Sequence, residues 1–207
     1  MRLRPLIIVT CMLCAAAPLA HAQGRGSVEI APFIGYRFGG SVTDYYYGQS
    51  HSINASQSEG LIVSVPIRYA DSVELLFSRQ STNVDVGTIT GTKRYPLTIN
   101  YWMLGSVHEF TAQSERVHPF LAAYLGIADL STSQGSITSA SRFSAAIGGG
   151  AKFDLGRHVG IRLDARAYFV FVSTSGGLFC GGGGCSASFS GNGLLQGEGT
   201  ASLVIKL

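Results

Sequence analysis

Four histidines and two cysteines in the body of the chain are the residues that could do chemistry by type alone. His51 stands between Ser50 and Ser52, a pairing in which an imidazole could activate a hydroxyl. Neighbouring Ser and His arise easily in a Ser-rich segment, so the pair is a weak hydrolase signature. His108, His118 and His158 lie at the opposite ends of their segments and do not converge on it. Cys180 and Cys185 enclose four glycines, Gly181 to Gly184. In an exported chain that spacing points to a disulfide, and metal binding is the rival reading. No His or acid stands nearby to complete a metal set. The glycine run lacks the Lys-Ser/Thr that a phosphate loop requires.

Charges recur at alternate positions within otherwise apolar or small-residue stretches. They are Glu29, Glu74, Asp164 and Glu198 against Arg37, Arg68, Lys152, Arg162 and Arg166. Nearly equal numbers of opposite sign on one face predict an internal ion-pair network, because a charge in a low-dielectric interior needs a partner. A polar conduit is the competing reading. Tyr45-Tyr46-Tyr47 form a further candidate, either an exposed contact surface for proteins or glycans or a cluster folded onto the rim.

The elements that position these residues are strands. Val28–Phe38, Glu59–Tyr69, Ser72–Thr82, Leu97–Phe110, Val117–Ile127, Arg142–Phe153, a segment beginning at Val159 and running through Phe169, and Leu195–Leu207 follow period two. In the fourth, Leu97, Ile99, Tyr101, Met103 and Val107 form the apolar face, opposite Trp102 and His108. The fifth has faces that are hard to tell apart. Pro66 predicts a bulge or a register end. Short turns at Ala70-Asp71, Thr111 to Arg116 and Asp154 to Arg157 alternate with long connections over Gly39–Ser58, Asn83–Pro96, Ala128–Ser141 and Ser173–Asn192. This predicts an all-β chain, an eight-stranded antiparallel transmembrane up-and-down β-barrel with both termini periplasmic. Aromatics gather in two bands, Tyr36, Phe38, Phe143, Phe169 and Phe171 in one and Tyr69, Phe110, Phe120 and Phe153 in the other.

The first 22 residues read as a signal peptide: Arg2 and Arg4, an apolar Leu6–Ala17, then Ala20-His21-Ala22 for cleavage. Residues 23–207 then form the barrel domain. The polar face is mostly Ser, Gly, Ala and Thr, thin cover for a solvated exterior but suited to a narrow lumen. A chain of net charge +3 with no basic cluster gives no reason to expect nucleic acid. No cofactor is expected.

Ile30-Ala-Pro-Phe-Ile-Gly-Tyr-Arg-Phe-Gly-Gly40, the Glu74-bearing strand and Gly160-Ile-Arg-Leu-Asp-Ala-Arg166 resemble the small eight-stranded outer membrane β-barrel family, the OmpA-like transmembrane domains and the OmpX/Ail group. The resemblance covers residues 27–207. It implies outer membrane lipid as surroundings and the barrel-assembly machinery as a partner during insertion. Members commonly end in an aromatic residue, whereas this chain ends in Leu207. With the chain stopping at its eighth strand, no peptidoglycan-binding domain is expected. The expected function is a non-enzymatic barrel with a filled lumen, acting through four long loops on envelope structure or on a surface protein or glycan. A lipid-A-modifying enzyme using His51 and a small channel are the alternatives.

Overall fold

A computed structural model of the chain describes residues 27–44, 50–88, 91–110, 116–131, 140–171, 177–181, 184–189 and 193–207. The expected signal peptide and Tyr45 to Tyr47 lie outside them. Among the described residues there are twelve strands: β1 Glu29–Phe38, β2 Ser41–Asp44, β3 Ser50–Ser52, β4 Ser56–Pro66, β5 Asp71–Thr88, β6 Gly91–Glu109, β7 Val117–Ser131, β8 Ala140–Asp154, β9 Val159–Phe171, β10 Gly177–Gly181, β11 Gly184–Phe189 and β12 Gly193–Lys206. Eight of them close into an all-antiparallel up-and-down barrel in the order β1-β12-β9-β8-β7-β6-β5-β4. Closure pairs Glu29 with Lys206, which places both ends of the barrel at the short-turn rim.

Alternation explains the wall. Along β9, Arg162, Asp164, Arg166, Tyr168 and Val170 are buried, while Ile161, Leu163, Phe169 and Phe171 point outward and are exposed. The β4 strand ends at Pro66, the register end that a residue without an N–H imposes.

Four expectations are corrected. First, the connection expected over Asn83–Pro96 is largely strand, since β5 and β6 stay paired out to Thr88 and Gly91. Val84 and Val86 continue the period of two after the apolar side chains on the other face have stopped, which hid the extension. Second, the first and last long connections hold β2, β3, β10 and β11, a separate sheet in the order β10-β11-β2-β3. The chain enters it through Gly39 and Gly40, at φ +85° and +91°, a conformation that L side chains rarely adopt. A bridge from Ile53 to Val84 ties this sheet to the β5–β6 hairpin.

Third, the faces of β6 are reversed. Leu97, Ile99, Tyr101, Met103 and Val107 fill the lumen, and Trp102, Leu104 and His108 point out. A dry lumen accepts apolar side chains as readily as the exterior does, so hydropathy alone does not orient the strand. Fourth, Phe120 belongs to the interior and not to an exterior aromatic band. Its ring lies under Arg162, 4.3 Å from the guanidinium carbon.

Candidate functional site

The most concentrated chemistry among the described residues is inside the barrel. Three arginines and three acids alternate in one chain of contacts: Arg37, Glu198, Arg166, Asp164, Arg162, Glu74. Register builds it. Arg37 faces Glu198 across β1–β12, and Glu198 faces Arg166 across β12–β9. Arg162, Asp164 and Arg166 then follow at two-residue spacing on β9, so all three point inward. Across β8–β9, Gly148 and Gly150 stand opposite Arg166 and Asp164 and leave room for these side chains.

The distances are those of charge-assisted hydrogen bonds. Arg37 Nη2 lies 2.7 Å from Glu198 Oε1, and Arg166 Nη1 lies 3.2 Å from Glu198 Oε2. Arg166 Nη2 reaches Asp164 Oδ1 at 2.8 Å, and Arg162 Nε reaches Asp164 Oδ2 at 2.7 Å. Arg162 Nη1 closes on Glu74 Oε1 at 2.6 Å. All six side chains are buried.

Hydroxyls complete the shell. Tyr168 donates to Glu198 at 2.6 Å, Tyr124 and Ser64 each donate to Glu74 at 2.6 Å, and Thr200 donates to Asp164 at 2.6 Å. Ser78 donates to Glu198 at 3.1 Å and accepts from Arg37. Every carboxylate oxygen of the chain therefore has at least one donor. Arg37 lies against the stacked rings of Tyr101 and Tyr168, 4.7 and 4.9 Å from their centres, which adds cation–π attraction. A site with equal charge of both signs and all its acceptors occupied offers no free base or nucleophile.

Lys152 forms a second cluster toward the short-turn rim, 2.8 Å from Glu29 and 2.6 Å from Glu109. Nearby, Lys206 pairs with Asp154 at 2.7 Å. Of the nine charges expected to share the lumen, Arg68 is corrected. It is exposed in the β4–β5 turn, because β4 stops at Pro66 and the next residues form the turn that returns at Asp71.

Sequence reasoning missed Tyr101, Tyr124, Tyr168, Ser64, Ser78, Thr200 and Glu109. Their inward parity on each strand was the available signal. For Tyr124 and Tyr101 that signal was lost, in the first case because the faces of β7 look alike and in the second because those of β6 were reversed.

Among the described side chains, no histidine is paired with a nucleophile. His108 Nδ1 lies 2.7 Å from Asp71 on the exterior, and His118 Nε2 lies 3.6 Å from Asp154. The side chains of His51, Cys180 and Cys185 fall outside the described residues, although the backbone sets Cys180 opposite Cys185 across β10–β11. On the protruding β5–β6 hairpin, Arg94 donates to Asp85 at 2.9 Å and Asn54 donates at 3.4 Å. These donors hold the Asp85 carboxyl below its ordinary range.

The barrel superposes on Neisserial surface protein A with a TM-score of 0.59 at 11% identity, covering 87% of this chain and 97% of that one. The N-terminal β-barrel domain of Pseudomonas aeruginosa OprF gives 0.48 at 12% identity, over 88% and 100%. The attachment invasion locus protein Ail of Yersinia pestis gives 0.41 at 17% identity, over 87% and 99%. No protein-family model matches the chain, and no curated protein matches it in sequence.

Proposed function

We propose that this chain, a closed eight-stranded barrel with the fold of Neisserial surface protein A, is a non-enzymatic outer membrane protein. In this reading its lumen is filled and its long connections serve envelope structure or contacts with surface proteins or glycans. The observation that carries the reading is the pairing of an apolar exterior with an interior whose charges are consumed by one another. Leu104, Leu125 and Ile147 each leave 60% or more of their surface uncovered. In water such a wall would drive aggregation, whereas acyl chains solvate it. An eight-stranded barrel is about wide enough for its own side chains to fill it. Both barrel ends then lie in the periplasm and the hairpin of β5 and β6 projects outside.

Membrane fractionation with gel migration tests this. Unheated protein from the outer membrane fraction is expected to run faster than boiled protein. Recovery in the soluble periplasm contradicts the proposal.

A register row of outward apolar residues, which climbs toward the long connections from β4 to β8, supports a lipid-facing wall. Leu61, Phe77, Trp102, Ile127 and Phe143 are successive cross-strand partners, and Phe143 packs 5.6 Å from Phe171. Trp102, the single tryptophan of the chain, packs with its ring centre 4.4 Å from that of Phe77, tilted by 42°. The upper end of this row, at Phe143 and Phe171, is the part that reaches headgroup level. Trp102 emission is therefore expected to be quenched by lipids brominated on their acyl chains and to resist aqueous iodide. Strong iodide quenching with no bromolipid effect would place this wall in water.

We also propose that Cys180 and Cys185 form a disulfide. Directly opposed antiparallel residues have Cα atoms about 4.5–5.5 Å apart, within the range of about 4.4–6.8 Å that a disulfide spans. Denatured, unreduced protein from the outer membrane is expected to react with no maleimide, and reduced protein to react at both cysteines. Full labelling before reduction rules the bond out.

A further inference from the structure

One part of the exterior departs from the apolar pattern. The row next to the aromatic one, toward the long connections, runs Glu59, Arg79, Asn100, Asp129, Ser141 through successive cross-strand partners. On β4 and β5 this row opens into a cleft of about 330 Å³ lined by Ser56, Gln57, Ser58, Glu59, Arg79 and Ser81. Glu59 and Arg79 are direct register partners and both are exposed, yet neither forms an ion pair with any described residue. Asn100, beside Arg79 on β6, has a buried Oδ1 without a hydrogen-bond partner. An acid and a base left side by side without pairing, next to an unsatisfied acceptor, make a surface complementary to a ligand carrying both charges.

The order of polarity along the wall narrows the ligand. Leu61 and Phe77 lie one row below Glu59 and Arg79, with Trp102 beside them. The polar cleft thus sits directly on an apolar wall, as an amphiphile presents a polar head above its chains. A guanidinium binds phosphate through two parallel N–H bonds. The adjacent Glu59 carboxylate and the Gln57 amide oxygen accept from a primary ammonium, which donates three N–H bonds, and a quaternary ammonium donates none. The volume lies at the low end of the range for small-molecule sites, enough for a headgroup and not for a whole lipid.

We propose that the cleft on β4 and β5 binds a phosphoethanolamine headgroup carried on a membrane lipid, with the phosphate on Arg79, the ammonium on Glu59 and the acyl chains along Phe77 and Trp102. This rests on the proposed function, since it places Phe77 and Trp102 against lipid.

The test uses the full barrel in nanodiscs of phosphatidylcholine doped with equal parts of phosphatidylethanolamine and phosphatidylglycerol, followed by native mass spectrometry of retained lipid. The wild-type protein is expected to retain phosphatidylethanolamine about tenfold above its share of the mixture. Arg79→Gln and Glu59→Gln are each expected to bring retention down to the mixing ratio, with phosphatidylglycerol, which lacks the ammonium, not enriched in either case. Wild type without enrichment, or variants that keep it, would overturn the site. Displacement by free O-phosphoethanolamine at the affinity of the lipid would overturn the claim that the ligand is a lipid. Heat-modifiable migration is recorded on every sample. A chain that never inserts into the discs counts against the proposed function, whereas an inserted barrel without enrichment counts against this site alone.

Discussion

Arg162→Met is expected to lower the unfolding free energy of the barrel by about 3–5 kcal/mol, because it leaves the buried Glu74 carboxylate without a cation and Asp164 with Arg166 alone. Arg162 is the shared partner of Glu74 and Asp164, at 2.6 and 2.7 Å, and its guanidinium also lies over Phe120. Methionine keeps the apolar contact and removes only the charge and the donors. Urea titration in lipid vesicles, read by heat-modifiable migration, measures the loss. Glu74 and Arg162 form the terminal pair of the six-membered chain, so removing both leaves Asp164, Arg166, Glu198 and Arg37 still balanced. Glu74→Gln with Arg162→Met is therefore expected to cost less than Arg162→Met alone. Contacting residues of one network couple by roughly 0.5–3 kcal/mol. Strict additivity of the two changes would mean that the chain is not a coupled network.

Gly105→Val is the second large effect. Gly105 faces inward between Glu74 and Tyr124, the register partner of both. The Tyr124 ring lies over it. A Cβ at position 105 would sit 2.1 Å from Tyr124 Cδ1 and 2.5 Å from the Ala123 carbonyl oxygen. The backbone oxygen cannot yield, so the ring must, and its hydroxyl then leaves Glu74. Overpacking costs about 1–3 kcal/mol, and loss of a hydrogen bond to a charged group about 1.5–3 kcal/mol. Tyr124→Phe separates the two contributions, since it removes the hydroxyl and leaves the ring in place. Gly105→Val is expected to be clearly the more damaging by the same urea titration. Equal effects would mean that the glycine provides no room the ring needs.

Much of this interior was legible before the fold. Arg162, Asp164 and Arg166 at two-residue spacing in an apolar segment place three alternating charges on one face of one strand, and only a lumen accommodates them. Arg37 and Glu198 followed from the same alternation. What the alternation does not carry is which side of a strand is inside when both sides are apolar. In β6 the side chains of Tyr101 and Met103 fill the barrel while Trp102 and Leu104 cover it, and hydropathy treats the two sets alike. Arg68 failed for another reason: its parity was right, but the proline two residues before it had already ended the strand. The β2, β3, β10 and β11 sheet escaped because short, polar, Gly-rich strands give weak period-two signals. The polar cleft at Glu59 and Arg79 was invisible because both residues looked like the ends of apolar strands meeting a loop.

The account stands on a lumen closed by its own side chains. Single-channel recording across a planar lipid bilayer tests it most directly. Inserted, heat-modifiable wild-type protein is expected to give no conductance steps above the bare-bilayer baseline, because Arg37, Glu198, Arg166, Asp164, Arg162 and Glu74 occupy the cross-section with Tyr101, Tyr124 and Tyr168 packed among them. Steady, reproducible openings from the wild-type protein, shifted in size by Arg162→Met, would contradict it.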